Sequence, residues 1–301
     1  MKKIILISVL TFVILLSQSS CKKDNNNDTN EPQNIYQSSL VNPTLEELQI
    51  FYEQGYDVIN GSVVLRDIDE LINMLALSNI ITIKGALKII SNSTLISLEG
   101  LSNLTSVGDS LSIVYNGELT NLEGLSNLTS VGGSLLIESN NALTNLDGLS
   151  NLTSVGGSLL IALNALTNLD GLSNLTSVGG SLLIEYNWEL TNLDGLSNLT
   201  SVGGSLSIES NISLTNLDGL SNLTSVGGSL LIEDNWELTN LDGLSNLTSV
   251  GGSLSIETNN VLSDLCGIRN ILTNGSHGNV IIQYNLFNPT VIDIIAGNCS
   301  Q

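Results

Sequence analysis

Aliphatic residues recur at fixed spacings along most of this chain. In the segment that begins at Gly132, Leu135 and Ile137 alternate with variable neighbours, which is the pattern of a strand with one buried face. Aliphatic residues then follow at every third position, as expected where a chain turns repeatedly around a narrow core: Leu143, Leu146, Leu149, Leu152 and Val155. The pattern predicts short strands that are joined by turns.

This unit repeats at a constant interval. Eight glycines mark the period, which is shortened by a single position between Gly148 and Gly171, and each of the first seven begins a near-copy of Gly-Leu-Ser-Asn-Leu-Thr-Ser-Val-Gly-Gly-Ser-Leu-Leu-Ile: Gly100, Gly124, Gly148, Gly171, Gly195, Gly219, Gly243 and Gly267. Weaker copies extend the period over residues 57–285 and give ten strand-like segments. A fixed period of this length is typical of a solenoid, in which each repeat forms one coil and only stacked coils are stable. We therefore expect an all-β, parallel β-solenoid of about ten coils.

The repeat also resembles a known family. Leu135-x-Ile137-x-x-Asn140 is the strand signature of leucine-rich repeats, and the fuller unit Leu-Thr-Asn-Leu-x-Gly-Leu-Ser-Asn-Leu-Thr-Ser-Val-Gly-Gly-Ser-Leu-x-Ile-x-x-Asn resembles the receptor L-domain family throughout the repeat region, 57–285. The resemblance implies a right-handed, leucine-rich-repeat-like solenoid with a ligand-binding role, as in insulin and epidermal growth factor receptors and in surface proteins of fungi and bacteria. The receptors' disulfide pattern, kinase and membrane-spanning helix are missing from this sequence, so the resemblance does not imply signalling.

The N-terminus has the features of an export signal. Lys2 and Lys3 precede a predominantly apolar run of 13 residues (4–16) that is too short to span a bilayer, and small polar residues follow before Cys21. Residues 1–20 resemble a bacterial lipoprotein signal, which implies that Cys21 is lipidated and anchors the protein to the cell outer membrane. Lys22-Lys23-Asp24 resembles the charged tag of Bacteroidetes-type surface lipoproteins. A plain secretory signal with a coincidental cysteine is the alternative.

The segments that flank the repeats predict a tether and two caps. Residues 21–43 are polar and predict a flexible tether. Thr44 and Glu47 form a capping box, so a short helix is expected to cap the solenoid over residues 44–56. Residues 286–301 are assigned to a C-terminal cap. Cys266 and Cys299 are expected to form a disulfide there, because disulfides persist in exported proteins.

The charge distribution limits the possible partners. The chain carries 29 Asp and Glu residues against eight Lys and Arg, a net charge of −21, and has no Lys or Arg from Ile89 to Ile268. Such a surface repels nucleic acid and anionic lipid headgroups. We therefore expect an extracellular protein or glycan as partner and membrane contact through the lipid anchor alone.

Several columns of identical residues run along the repeats. One column of asparagines is expected to be a structural ladder, in which each amide satisfies backbone groups and stacks on the next coil: Asn92, Asn116, Asn140, Asn164, Asn187, Asn211, Asn235, Asn259 and Asn285. The recurrent Asn-Leu-Thr sequon is interpreted as a by-product of the repeat. Two acidic columns are interpreted as solvated faces, with calcium binding as an alternative, although the Gly-Gly-x-Gly-x-Asp pattern of calcium-binding β-rolls is missing.

The sequence offers little for catalysis. His277 is the only histidine, and no nucleophile–base pair or metal-ligand cluster can be assembled around it. We therefore expect a non-enzymatic protein without cofactor or metal, with a carbohydrate-active β-helix enzyme or a structural envelope protein as alternatives. The copies differ mainly beside the strand, where exposed aromatics between acids suggest a binding site, although neutral variation on an exposed turn would give the same pattern. The candidate ligand-binding residues are Tyr115, Tyr186, Trp188, Ile212, Trp236, Glu185, Glu209 and Glu233.

Overall fold

The computed structural model describes residues 33–67 and 72–301. The chain winds around one hydrophobic core, and each coil contributes one strand to each of two parallel sheets. The predicted signal segment, Cys21 and most of the predicted tether lie outside the described residues.

The first sheet, called here the narrow sheet, has two residues per strand. Its ten strands stack in chain order with every strand parallel to its neighbours. They are β1 (Ile35–Tyr36), β3 (Val58–Ile59), β5 (Thr82–Ile83), β7 (Ser106–Val107), β9 (Ser130–Val131), β11 (Ser154–Val155), β13 (Ser177–Val178), β15 (Ser201–Val202), β17 (Ser225–Val226) and β19 (Ser249–Val250).

The second sheet, called the broad sheet, has four residues in all but its first strand. Its eleven strands are β2 (Leu40–Val41), β4 (Val63–Arg66), β6 (Leu87–Ile90), β8 (Leu111–Val114), β10 (Leu135–Glu138), β12 (Leu159–Ala162), β14 (Leu182–Glu185), β16 (Leu206–Glu209), β18 (Leu230–Glu233), β20 (Leu254–Glu257) and β21 (Val280–Gln283). Leu135 pairs with Leu111 on one side and Leu159 on the other, so equivalent residues lie in register. The predicted all-β, parallel solenoid is confirmed.

Helical structure is short and lies in the return segments that follow the broad strands. The α-helices are α1 (Leu45–Glu53), α2 (Ile72–Leu75), α3 (Arg269–Asn274) and α4 (Val291–Ala296). One turn of 3-10 helix occupies the equivalent place in the other coils: Glu99–Leu101, Glu123–Leu125, Asp147–Leu149, Asp170–Leu172, Asp194–Leu196, Asp218–Leu220, Asp242–Leu244 and Cys266–Ile268.

The core is a column of aliphatic side chains. Strand residues Leu135 and Ile137 and return residues Leu143, Leu146 and Leu149 all have no solvent exposure. Their equivalents in the other coils belong to the same continuous cluster. Because each coil places an aliphatic residue, most often leucine, over its counterpart in the coil before it, the three-residue spacing of the sequence becomes a set of buried stacks.

The N-terminal end differs from the prediction. Strands β1 and β2 come from residues assigned to the tether, and they pair with β3 and β4, so the solenoid begins before residue 57 and the broad sheet has eleven strands rather than ten. Helix α1 follows β2 and forms the return segment of this first coil. Its predicted capping box is present: the Thr44 backbone N–H donates to the Glu47 carboxylate at 2.7 Å, and the Glu47 N–H donates to Thr44 Oγ1 at 3.2 Å.

Aromatic packing explains why the first coil is ordered despite its polar sequence. The rings of Tyr36 and Tyr56 are 5.3 Å apart between centroids, and the Phe51 ring of α1 lies 5.1 Å from that of Tyr56. Phe51 belongs to the continuous core cluster, and Tyr36 and Tyr56 pack against it. The first coil lacks the glycine and Ser-Val signature of the regular repeats, so the periodicity could not reveal it.

The C-terminal end is closed by α3, α4 and a covalent link. Cys266 and Cys299 are joined by a disulfide across 33 residues. The Leu265 backbone N–H donates to the Cys299 carbonyl oxygen at 2.8 Å, so the terminal segment pairs with the last return. A second capping box, between Thr290 and Asp293, begins α4.

The glycine that follows each acidic return residue permits the coils to approach closely. A Cβ atom on Gly195 would overlap the Leu169 carbonyl oxygen of the preceding coil, which is rigid backbone. A Cβ atom on Gly117, in an exposed turn, would meet no atom within 4 Å.

We predict that Gly195→Ala destabilises the protein by about 3 kcal/mol or more, because the coils must separate locally and the overpacked atom is rigid backbone. Gly117→Ala is the matched control, and its effect should remain within about 1 kcal/mol of wild type. Urea denaturation followed by circular dichroism gives both values. Equal stability of the two variants would contradict the close-approach role of Gly195.

Candidate ligand-binding groove

The candidate residues lie along the edge where the broad strands end. The last residue of each strand has a side chain on the outer side of the sheet, and the register places these residues in one column: Val114, Glu138, Ala162, Glu185, Glu209, Glu233 and Glu257. Acidic residues dominate the column, but Val114 and Ala162 interrupt it.

The next residue of each coil has a left-handed backbone conformation. The φ angle is 59° at Tyr115 and 56° at both Leu163 and Tyr186. Non-glycine residues adopt this region at a cost, and bulky ones do so rarely. The equivalent residues elsewhere include Ser139 and Asp234, whose small polar side chains suit the conformation better. Tyr284, outside this region, is likewise bulky, so the column tolerates large side chains at a backbone cost that small polar residues lessen.

The left-handed residue directs the following asparagine into the space between coils. The Asn140 Nδ2 atom donates to the Ile113 carbonyl oxygen at 2.9 Å and to Asn164 Oδ1 at 3.2 Å, and the Asn140 backbone N–H also donates to Asn164 Oδ1 at 3.1 Å. The same buried column contains Asn92, Asn116, Asn140, Asn164, Asn187, Asn211, Asn235, Asn259 and Asn285. These amides are occupied by the protein itself, so they hold the turn in place.

An open groove lies beside this column and spans four coils. It encloses about 650 Å³ and is lined by Tyr115, Gly117, Ser139, Asn141, Leu163, Asn164, Ala165, Tyr186, Trp188 and Glu189. Leu163 and Ala165 come from one of its two central turns, Ser139 and Asn141 from the other, Tyr115 from one end and Trp188 from the opposite end. The lining is mainly apolar and aromatic.

The groove coincides with the shortened interval between Gly148 and Gly171. In the preceding coil the turn reads Asn140-Asn141-Ala142-Leu143, whereas this coil continues from Asn164 directly to Ala165 and Leu166. Asn164 and Leu166 keep their buried positions, so the missing residue is taken from the exposed part of the turn. The shortened turn lies between two full-length neighbours, and this difference forms the depression.

The structure separates the candidate residues into two groups. Tyr115, Tyr186 and Trp188 line the groove, and the side chain of Trp188 is 55% exposed. Trp236 is 49% exposed but lies two coils away, beyond Ile212, which is half-buried. The carboxylates of Glu185, Glu209 and Glu233 follow one another along the adjoining column.

Sequence reasoning did not assign Leu163 and Ala165 to the site. The shortened interval was visible in the sequence and would have indicated them, because a deletion in an exposed turn between intact coils must leave a depression.

Near the groove, the carboxylates of the acidic column repel one another. Partial burial raises the pKa of Glu185, and the neighbouring Glu209 raises it further. The pKa of Glu233 is raised in the same way, by burial first and then by Glu209. The Tyr186 hydroxyl donates to Glu209 Oε1 at 3.2 Å, and the charge of Glu209 raises the pKa of that tyrosine. By contrast, hydrogen bonds from Ser255 and Gln283 lower the pKa of Glu257.

Other columns use their polar groups internally. The Asn151 Nδ2 atom donates to the Ser126 carbonyl oxygen at 2.7 Å, and the Thr153 hydroxyl donates to the Thr129 carbonyl oxygen at 3.1 Å. These contacts account for the repeated Asn-Leu-Thr sequon as a stacking element. Within residues 33–67 and 72–301, no group of three or more His, Cys, Asp or Glu side chains has an arrangement that could hold a metal ion. No helix in those ranges is long and apolar enough to cross a bilayer.

Comparison with known proteins gives one family match. Residues 200–288 match the family model of the receptor L domain. This segment begins just before β15 and ends after β21, and the match supports a ligand-binding repeat module. The groove, at residues 115–189, lies outside the matched segment. No curated protein matches the chain.

We predict that Glu185→Gln stabilises the protein at neutral pH. A carboxyl group whose pKa is raised on folding lowers stability as the pH rises above its ordinary pKa of 4.5, because the folded state resists losing the proton. Glutamine removes that penalty, so the thermal midpoint of the variant should exceed that of wild type at about pH 7.5, and the two should converge at about pH 3.5.

Glu189→Gln is the matched control, because it removes the same charge from a neighbouring residue that is exposed. It should give a smaller increase at about pH 7.5. A Glu185→Gln midpoint that equals or falls below that of the control at this pH would contradict the prediction.

Proposed function

We propose that this chain is a non-enzymatic surface lipoprotein whose solenoid binds an external protein or glycan along the edge of the broad sheet. The observation that carries the proposal is the groove beside the asparagine column, where three aromatic rings are solvent-accessible on a rigid frame. Exposed aromatics in a shaped depression are the usual anchors of recognition sites. The receptor L domain match over residues 200–288 supports the same role.

The chemistry of the groove favours binding over catalysis. Its lining has one carboxylate, Glu189, and no histidine, cysteine or lysine to act as a partner in proton transfer or nucleophilic attack. His277 lies far along the chain in an exposed turn, where its Nδ1 atom is 2.9 Å from the Gly278 carbonyl oxygen. A recognition module needs only the shape and the rings that the groove provides.

The proposed placement on the cell surface follows from the sequence of the N-terminal segment up to Asp24. A lipidated Cys21 would tie the N-terminus to the outer membrane, and the polar residues before β1 would hold the first coil away from the lipid. The acidic repeats, which repel anionic headgroups, would then project outward with the groove accessible.

We expect Cys21→Ser to release the protein from membranes, because the acylated thiol is the only anchor in the proposal. Expression in a Gram-negative host, labelling with radioactive palmitate and separation of membrane and soluble fractions would measure this. Ser17→Ala is the matched control, since it alters the same signal but keeps the cysteine, and it should remain labelled and membrane-bound. Membrane association of the Cys21→Ser chain would refute the lipid anchor.

Screening on arrays of glycans and extracellular proteins tests the binding role. We expect at least one ligand for the wild-type chain and about tenfold or greater loss for a Trp188→Ala, Trp236→Ala double variant, because truncated aromatic anchors commonly cost this much. An Ile50→Ala, Ile96→Ala double variant removes two exposed apolar side chains elsewhere and should bind like wild type. Failure of the wild-type chain to bind any ligand would overturn the proposed function.

A further inference from the structure

We propose that the groove at the shortened coil binds an extended basic peptide that carries a cationic side chain at each end and an apolar side chain between them. This inference rests on the proposed binding function and specifies its ligand. It is carried by three features of the groove: its length, its apolar central turn and its unbalanced negative charge.

The length follows from the stacking of the coils. Tyr115 and Tyr186 occupy the same column and are separated by three inter-strand steps, from β8 through β10 and β12 to β14. At about 4.8 Å per step, the two ends of the groove lie about 14 Å apart. In an extended peptide, side chains at positions i and i+4 point the same way and are separated by about 13.6 Å. One such pair matches the two ends.

One of the two central turns of the groove is apolar. Leu163 and Ala165 line the groove in this turn, which lacks one residue, and the strand that precedes them ends in Ala162 where its neighbours have Glu138 and Glu185. The peptide position halfway between the two ends, i+2, falls between this turn and the turn of Ser139 and Asn141, so an apolar side chain there can pack on Leu163 and Ala165. A leucine-sized residue suits that place.

Each end combines an aromatic ring with a carboxylate. At one end Trp188 is followed by Glu189, and at the other Tyr115 precedes Gly117 and the exposed Glu118. A guanidinium or ammonium group can stack on such a ring while it pairs with the acid.

The lack of internal counterions favours a cationic peptide over a neutral glycan. No Lys or Arg occurs between Ile89 and Ile268, and the column beside the groove continues with Glu185, Glu209 and Glu233. The raised pKa of Glu185 reflects its partial burial and the adjacent charge of Glu209. A bound cation relieves this repulsion, whereas a neutral sugar leaves it in place.

The probe that tests the inference is a fluorescein-labelled pentapeptide, Arg-Ser-Leu-Ser-Arg, titrated with the folded Cys21→Ser chain in about 0.15 M salt and followed by fluorescence polarisation. Ser-Arg-Leu-Arg-Ser has the same composition and charge, but its arginines are only about 6.8 Å apart in an extended chain. We expect the first peptide to bind about tenfold more tightly than the second, because only the first reaches both ends. Maltopentaose is the neutral competitor and should displace neither peptide.

Three protein variants of equal charge distinguish specific binding in the groove from non-specific attraction to an acidic surface. Trp188→Ala removes the ring at one end, and insertion of one asparagine after Asn164 restores the full-length turn and fills the depression. Each should weaken binding of Arg-Ser-Leu-Ser-Arg by about tenfold or more. Trp236→Ala changes the same column two coils away and should weaken binding less than twofold. Circular dichroism and thermal melts establish that all three variants are folded.

The inference would be overturned by equal affinity for the two pentapeptides, by equal loss in Trp188→Ala and Trp236→Ala, by unchanged binding after the insertion, or by no binding to wild type. Displacement by maltopentaose would assign the groove to a glycan instead. In that case, or where the arrays yield a different ligand that depends on the aromatic residues, the proposed binding function stands while the peptide inference fails.

Discussion

In-register stacking governs this molecule, because each residue of a coil lies about 4.8 Å from its own counterpart in the next coil. A residue type is acceptable only if it tolerates a copy of itself at that distance. Leucine gains a buried neighbour, asparagine gains a donor and an acceptor, and Gly195 permits an approach that any Cβ atom would block. Glutamate gains only repulsion, which is why the acidic columns lie at the solvent-facing edge and Glu185 has a raised pKa.

This constraint explains how much of the fold could be predicted. Residues that stack on themselves leave a periodic trace, so the parallel solenoid, its buried leucines and the asparagine column all follow from the spacing of Leu135, Ile137 and Asn140. The first coil left no such trace. Its aromatic residues stabilise it through contacts with one another, and ring packing of this kind has no period: Tyr36, Phe51 and Tyr56.

The candidate site shows the same division between features that the repeat pattern predicts and features that it does not. Departures from the repeat led to Tyr115, Tyr186 and Trp188, which lie in exposed columns where nothing in the stack requires bulk, and the structure places these three residues along one groove. The same departures also selected Ile212 and Trp236, which lie outside the groove. The position of a residue within the repeat shows where it lies around a coil, but it does not show whether the surface there is raised or recessed. The depression arises where one residue is absent after Asn164, because its loss shortens the exposed turn while the buried stack continues.

The near-identity of the middle coils has a consequence for how the chain finds its fold. A strand such as β16 would pair with β12 or β20 almost as well as with its true neighbours, so slipped arrangements that skip a coil are close competitors during folding. Three features are unlike the rest: the aromatic first coil, the shortened turn at Asn164 and the Cys266–Cys299 link. Each of them packs correctly only in the native register and lies in a different part of the chain. A chain with slipped strand pairing would therefore lose the native contacts of at least one of them. The features that close the ends and shape the groove thus also specify the register in which the otherwise similar coils pair.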